Sequence, residues 1–173
     1  MNKIIVTILA VLILVVVQIS LITAWPPPVQ YANIVLAVVI FVSVLANQEF
    51  GLALAAVSGF LLDLYSPHAF GLTILSLVFV SWVVSLLFRQ FFTNRSLYPL
   101  FLLGLAGTFF FETILLVGGY VFNDTLFAAG VFWSWLTIVS WEAFLNLLIL
   151  GVLFIIFNRF TDRFHLQLTR FDL

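Results

Sequence analysis

Six apolar blocks, at residues 4–22, 34–46, 50–65, 72–88, 97–122 and 128–157, follow one another with only short polar or turn-rich pieces between them. A helical run of about 20 apolar residues crosses a hydrocarbon layer roughly 30 Å thick. With 173 residues, 65% of them hydrophobic and 8% charged, the chain is filled by such runs and leaves no room for a separate water-soluble domain. The expected fold is an all-α integral membrane protein, one transmembrane domain over residues 1–173 built as a bundle of six helices. Helices 2 and 3 are short, so they form either two full spans or a re-entrant hairpin.

The breaks have turn chemistry. Trp25-Pro26-Pro27-Pro28 cannot continue a helix, because proline lacks the amide proton and clashes with the preceding turn, so it forms a stiff extended loop. Asn47-Gln48-Glu49, Ser66-Pro67-His68, residues 89–96 and Asn123-Asp124-Thr125 are compositions that favour turns or helix caps. Met1-Asn2-Lys3 and the apolar run after it have the look of a secretory signal. The run is longer than a usual signal core, however, and Ile22-Thr23-Ala24 lacks a small first residue, so a retained first span is expected.

Basic residues set the expected orientation, since Lys and Arg are retained in the cytoplasm during insertion. With six spans and both termini cytoplasmic, Lys3, Arg89, Arg95, Arg159, Arg163 and Arg170 all fall inside and none outside. Trp25, Tyr31, Tyr65, Tyr120 and Trp133 then lie near the outer interface and Tyr98 near the inner one, as interfacial aromatics do. A net charge of −1 without long runs of like charge gives no nucleic-acid surface. The absence of cysteine removes disulfides, thiolate nucleophiles and sulfur metal sites.

Ionisable residues inside apolar blocks are the informative ones, because a charge in hydrocarbon costs at least about 2.5–3.5 kcal/mol. Glu112 and Glu142 each lie deep in their blocks, and adjacent antiparallel helices would bring them near each other at mid-membrane. Two bare carboxylates cannot sit together in a low dielectric, so the expectation is a protonated acid or a hydrogen bond to a neighbour such as Asn146, one turn from Glu142. The pair reads first as a polar clasp between helices and second as a solute or ion site. Catalysis is not expected: no nucleophile, base, metal-ligand set or cofactor motif accompanies the pair, and His68 reads as an exposed turn residue.

Small residues mark the expected helix contacts. Gly51, Ala55, Gly59 and Asp63 recur every four residues and line one face, where another backbone can approach closely. Gly104, Thr108 and Glu112 repeat the pattern, and Ser134, Ile138, Glu142 and Asn146 do so approximately; all three stripes are expected to face the bundle interior. Asp63 also stands where it could cap the helix that begins near Gly71 and Leu72, or reach interfacial water. The candidates for helix packing or partner contact are thus Gly51, Ala55, Gly59, Asp63, Gly71, Gly104, Glu112, Glu142 and Asn146.

The stretch Gly59-Phe60-Leu61-Leu62-Asp63-Leu64-Tyr65-Ser66, followed by Phe70-Gly71-Leu72, resembles the central signature of the rod shape-determining MreD family, approximately G-x-L-x-D-L-x-S with a following glycine. The small size, the proline-containing break after the first span, Asn33 opening the second helix, Phe132-Trp133-Ser134 before the last helix and the short basic tail agree with that resemblance. Ala32-Asn33, where relatives often have Pro-Asp or Pro-Asn, and Pro67-His68 depart from the pattern without altering the topology.

The resemblance implies a component of the bacterial cytoplasmic membrane, a scaffold of the cell-elongation machinery. It implies association with an MreC-type membrane protein and, through it, with MreB and peptidoglycan synthases. Self-association is left open. The family is also similar in fold to the substrate-binding S components of energy-coupling-factor transporters, which supplies an alternative: a small-solute, vitamin-like binding subunit. The outer loops offer few groups for such a pocket, chiefly Gln30, Asn33, Asp63, His68, Asn123 and Asp124, so the scaffold is the favoured expectation.

Overall fold

A computed structural model describes residues 2–22, 24–45, 48–66, 69–92, 97–123 and 131–168. His68, Arg95, Asp124 and Arg170 lie outside the described residues, as do the side chains of Lys3, Asn123 and Arg163. Among the described residues the regular structure is helical: α1 (Asn2–Val17), α2 (Ile34–Leu45), α3 (Gln48–Asp63), α4 (Leu72–Phe91), α5 (Leu97–Asn123) and α6 (Val131–Leu168). Among the described residues three stretches are long and apolar enough to cross a membrane: Leu72–Phe91, Leu97–Phe122 and Trp133–Arg159.

The helix ends follow local chemistry. Gln48 and Glu49 belong to the first turn of α3 and not to a loop; an acidic side chain there is stabilised by the helix dipole. Arg89 occupies the last turn of α4, where a cation is favoured, so the break expected over residues 89–96 begins only at Phe92. Pro99 is accommodated in the first turn of α5, where its missing N–H is not needed. Beyond α1 the chain widens into a π-helical turn, Gln18–Ile22, and after the prolines it tightens into a 3-10 turn, Val29–Tyr31.

The short α2 is the centre of the bundle. It touches α1, α3, α4, α5 and α6, and Val35, Leu36, Ala37, Val39 and Ile40 are fully buried. A helix that is apolar all round is one buried all round. Its 12 residues rise only about 18 Å, which suffices because protein and not lipid surrounds it. The outer helices turn large apolar side chains outward instead: Ile8, Leu9, Leu12 and Val16 on α1, Leu75, Phe79 and Trp82 on α4, and Phe144, Leu148, Val152 and Ile155 on α6. Water would not tolerate so continuous an apolar surface, whereas lipid does.

Close contacts between helices occur at small residues. A Cβ built on Gly51 would lie 2.5 Å from the Ser43 Oγ of α2, and one on Gly104 would lie 2.5 Å from the Leu150 Cδ1 of α6. Ser43 in turn meets Ser81 of α4 with 2.9 Å between the hydroxyl oxygens. The Phe41 and Phe157 rings meet edge to face at 5.8 Å. The late part of α2 therefore lies beside the late parts of α4 and α6, and Arg89 and Arg159 fall toward the same end of the bundle.

Candidate functional site

At the opposite end, polar side chains link four helices. Asn33 caps α2, its Oδ1 accepting the Leu36 N–H at 3.0 Å. Gln18, in the π-helical turn, serves the same terminus from a distance: its Oε1 accepts the Ile34 N–H at 2.8 Å, and its Nε2 donates to the Ala32 carbonyl at 2.9 Å. The Asn33 N–H reaches Asn146 Oδ1 of α6 at 3.0 Å. Asn146 Nδ2 then donates to Thr108 Oγ1 of α5 at 3.2 Å and to Glu142 Oε1 at 3.4 Å. The Glu112 carboxyl and the Asn33 side chain lie close to the Glu142 carboxyl.

This network borders a cavity of about 450 Å³. Glu112 and Glu142 line it together with Gln18, Gln30, Tyr31, Asn33, Tyr65, Ser66 and Thr73. Ile19, Leu62, Phe111, Leu115 and Ile138 complete the wall. The loops supply some of these groups, but Gln18, Thr73, Glu112 and Glu142 come from helices, so an inventory of outer-loop residues understates the polarity of the pocket. Nothing in the sequence spacing joins positions 18, 33, 73, 112 and 142. Glu142 and Asn146, one helical turn apart, form a pair visible in the spacing, and Glu112 joins Glu142 in the sequence only through the depth of both in neighbouring apolar blocks.

Asp63 serves another purpose. Its carboxylate accepts the backbone N–H groups of Gly71, Thr73 and Ile74, each at 3.1 Å. It closes the connection between α3 and α4 and satisfies donors that the start of α4 leaves open. Gly71 immediately precedes α4 in the left-handed region, at φ 94°, where a side chain is strained. Gly51, Ala55 and Gly59 are buried on the same helix as Asp63, and a Cβ on Gly59 would meet the α4 backbone at Ile74. Gly104 is buried against Leu150 and Leu147.

The stripe on α6 is only partly interior: Glu142 and Asn146 are buried, Ile138 is half-buried, and Ser134 is exposed. Each step of four residues advances about 40° beyond a full turn, so a stripe of that spacing drifts across the helix surface. Along α3 the drift stays covered because α1, α2 and α4 all pack against it.

Among the described residues no three His, Cys, Asp or Glu side chains group to hold a metal ion. The fold and its polar interior define a helical membrane protein whose buried polar side chains chiefly join its own helices. The chain belongs to the rod shape-determining protein MreD family, the match covering residues 1–164. It is a family of structural, shape-determining membrane proteins and not a known family of enzymes. No curated protein and no solved structure matches the chain.

Proposed function

We propose that this protein is a non-enzymatic scaffold of the bacterial elongation machinery, a multi-pass component of the cytoplasmic membrane. In that role it binds an MreC-type partner and, through it, helps couple MreB to peptidoglycan synthesis. The observation that carries the reading is membership of the MreD family over residues 1–164. The chemistry of the interior supports it: Gln18, Asn33, Asp63, Thr108 and Asn146 spend their polar groups on helix-to-helix and helix-capping bonds, and a rigid bundle is what a scaffold needs.

Gly51, Gly59 and Gly104 are occupied by contacts within the chain, so the partner surface in this reading is another face. The outer half of α6 is the best suited. Thr137 and Ser140 stand exposed there beside Trp133, Trp141 and Phe144, and their hydroxyls bond the carbonyls of their own helix. Short hydroxylated side chains on a membrane-facing surface allow a second helix to approach closely. The chain contains no cysteine, so Trp141→Cys gives a single reactive thiol. Co-expressed with an MreC-type single-span protein carrying one thiol per variant along its span, it is expected to form a disulfide that Leu9→Cys, on α1, does not. Equal cross-linking at both positions, or none with intact co-purification, would refute this placement.

A second reading, a small-solute binding subunit, is favoured by one observation, the cavity of about 450 Å³ bordered by Glu112 and Glu142. Its volume falls in the range of roughly 300–1,000 Å³ typical of small-molecule sites. Native mass spectrometry of the purified protein tests it. A discrete bound mass lost on Leu115→Trp, which fills the cavity, supports the reading, and a ligand-free spectrum from gently extracted protein opposes it.

A further inference from the structure

The membrane-facing sides of the helices differ in length. On α6 large apolar side chains stay exposed from Leu136 through Phe144 and Leu148 to Ile156, about 30 Å of helix and close to the thickness of a hydrocarbon core. On α3 the exposed apolar face consists of Phe50, Ala53, Val57, Phe60 and, one residue past the helix, Leu64. Their spacing puts them on one stripe that rises only about 21 Å. Exposed Glu49 closes the stripe at one end and exposed Tyr65 at the other.

Helix contacts fix where those ends lie. A Cβ on Gly59 meets Ile74, one on Gly51 meets Ser43, and Ser43 bonds Ser81. Counting back from Gly59 and Ile74 along the antiparallel pair brings Gly51 opposite Trp82, beside Ser81, so the two registers agree. Glu49 then stands level with Val84, and Arg89 lies about 7 Å further toward that end of the bundle. At the other end Gly118 of α5 packs on the Leu72 side chain, and α5 continues to Asn123, about 7 Å past it. The α3 flank is therefore recessed at both ends. A flat hydrocarbon layer reaching Arg89 would immerse the Glu49 carboxylate, which is costly, whereas a layer that thins along α3 meets the short stripe at a modest cost.

We infer that the bilayer is thinner along α3 than along α6, the bundle drawing lipid headgroups inward to the level of Glu49. The surface that does this is the stripe from Phe50 to Leu64, and its partner is the phospholipid bilayer itself. The inference rests on the multi-pass membrane reading and is independent of the scaffold and solute readings. Single thiols placed on the cysteine-free chain carry a nitroxide, and the full chain is reconstituted in dioleoylphosphatidylcholine vesicles. Collision rates with oxygen and with a water-soluble nickel chelate give the depth of each label below the hydrocarbon boundary.

Depths are summed over the two ends of a stripe, because in a flat bilayer tilting the bundle cannot shrink that sum. Phe50→Cys and Leu64→Cys are expected to give a sum near zero, as are Leu136→Cys and Ile156→Cys on α6. A bilayer that stays flat at roughly 30 Å gives the α3 pair about 9 Å or more, and that result overturns the inference. Ala53→Cys and Phe60→Cys repeat the test on the same face should an end position fail to fold: their sum is about 10 Å with thinning and about 20 Å without it. Leu148→Cys reads deep in the hydrocarbon in either case. A Leu148→Cys label in water would overturn the multi-pass reading itself, which keeps that failure separate from a flat bilayer.

Discussion

A Cβ placed on Gly59 would lie 2.8 Å from the Cα of Ile74, so α3 and α4 touch there backbone to backbone. No side-chain rotation can relieve that contact. Gly59→Leu forces the helices apart, and overpacking of a tight site typically costs about 1–3 kcal/mol. The expected outcome is a lower midpoint of thermal unfolding in detergent, whereas Val57→Leu, on an exposed face of the same helix, leaves it nearly unchanged. Equal midpoints for the two variants would show that the helices separate without cost.

Asp63 closes the same helix pair from its end. Both carboxylate oxygens accept backbone N–H groups of the α4 start. Asp63→Ala leaves three donors without this acceptor, and losing a cap of this kind costs about 1–2 kcal/mol, with more where the bonds are charge-assisted. Asp63→Asn keeps one acceptor oxygen and turns an NH₂ toward a donor, so its unfolding midpoint falls between those of wild type and the alanine variant. An asparagine variant as unstable as the alanine variant would mean that both oxygens are indispensable.

Gly71 separates conformational cost from packing cost. Its φ is 94°, and nothing lies within 4 Å of an added Cβ, so Gly71→Ala meets strain and no clash. The left-handed conformation costs a residue with a Cβ roughly 1–2 kcal/mol, partly offset by the reduced freedom of the unfolded chain. Destabilisation near 1 kcal/mol is expected for alanine and less for Gly71→Asn, as asparagine tolerates this region better. Denaturant titration of the three proteins checks the order Gly, Asn, Ala.

Asn146 joins three elements by its one amide: the α2 start through the Asn33 N–H, α5 through Thr108, and its own helix through Glu142. Asn146→Leu keeps the volume and leaves the Asn33 N–H and the Thr108 hydroxyl without this partner, at about 1–3 kcal/mol for each buried group left unsatisfied. Thr108→Val alone is expected to be milder. In a double-mutant cycle the pair is expected to be non-additive, because the second substitution removes a group the first has already orphaned. Additive losses would place the two side chains in separate networks.

How much of this was legible in the sequence depends on the residue. The stripe Gly51, Ala55, Gly59 and Asp63 could be read as a contact face because small side chains at helical spacing in a membrane helix signal close packing. Glu112 and Glu142 could be paired because both lie deep in neighbouring apolar blocks. The centrality of α2 could not be read, since a helix facing lipid and one facing other helices are equally apolar. Gln18 could not be read as a capping residue, since its role depends on Ile34 and Ala32 across a proline-rich break. The cavity escaped for the same reason, since its polar lining is scattered from residue 18 to residue 142.

The threading of the chain makes the last prediction. Tyr65, after α3, and Tyr98, in the first turn of α5, are each 72% exposed, and they sit at opposite ends of the bundle, since α4 runs between them. The expected retention of Arg and Lys inside would put Arg89 and Arg159 in the cytoplasm, and therefore Tyr98 inside and Tyr65 outside. The cysteine-free chain lets each tyrosine be replaced by a single thiol without further changes. A membrane-impermeant maleimide applied to intact spheroplasts is expected to label Tyr65→Cys at once and Tyr98→Cys only after permeabilisation. The reverse pattern would invert the bundle and put the cavity mouth in the cytoplasm. Labelling of both from outside would mean that α4 does not cross the membrane.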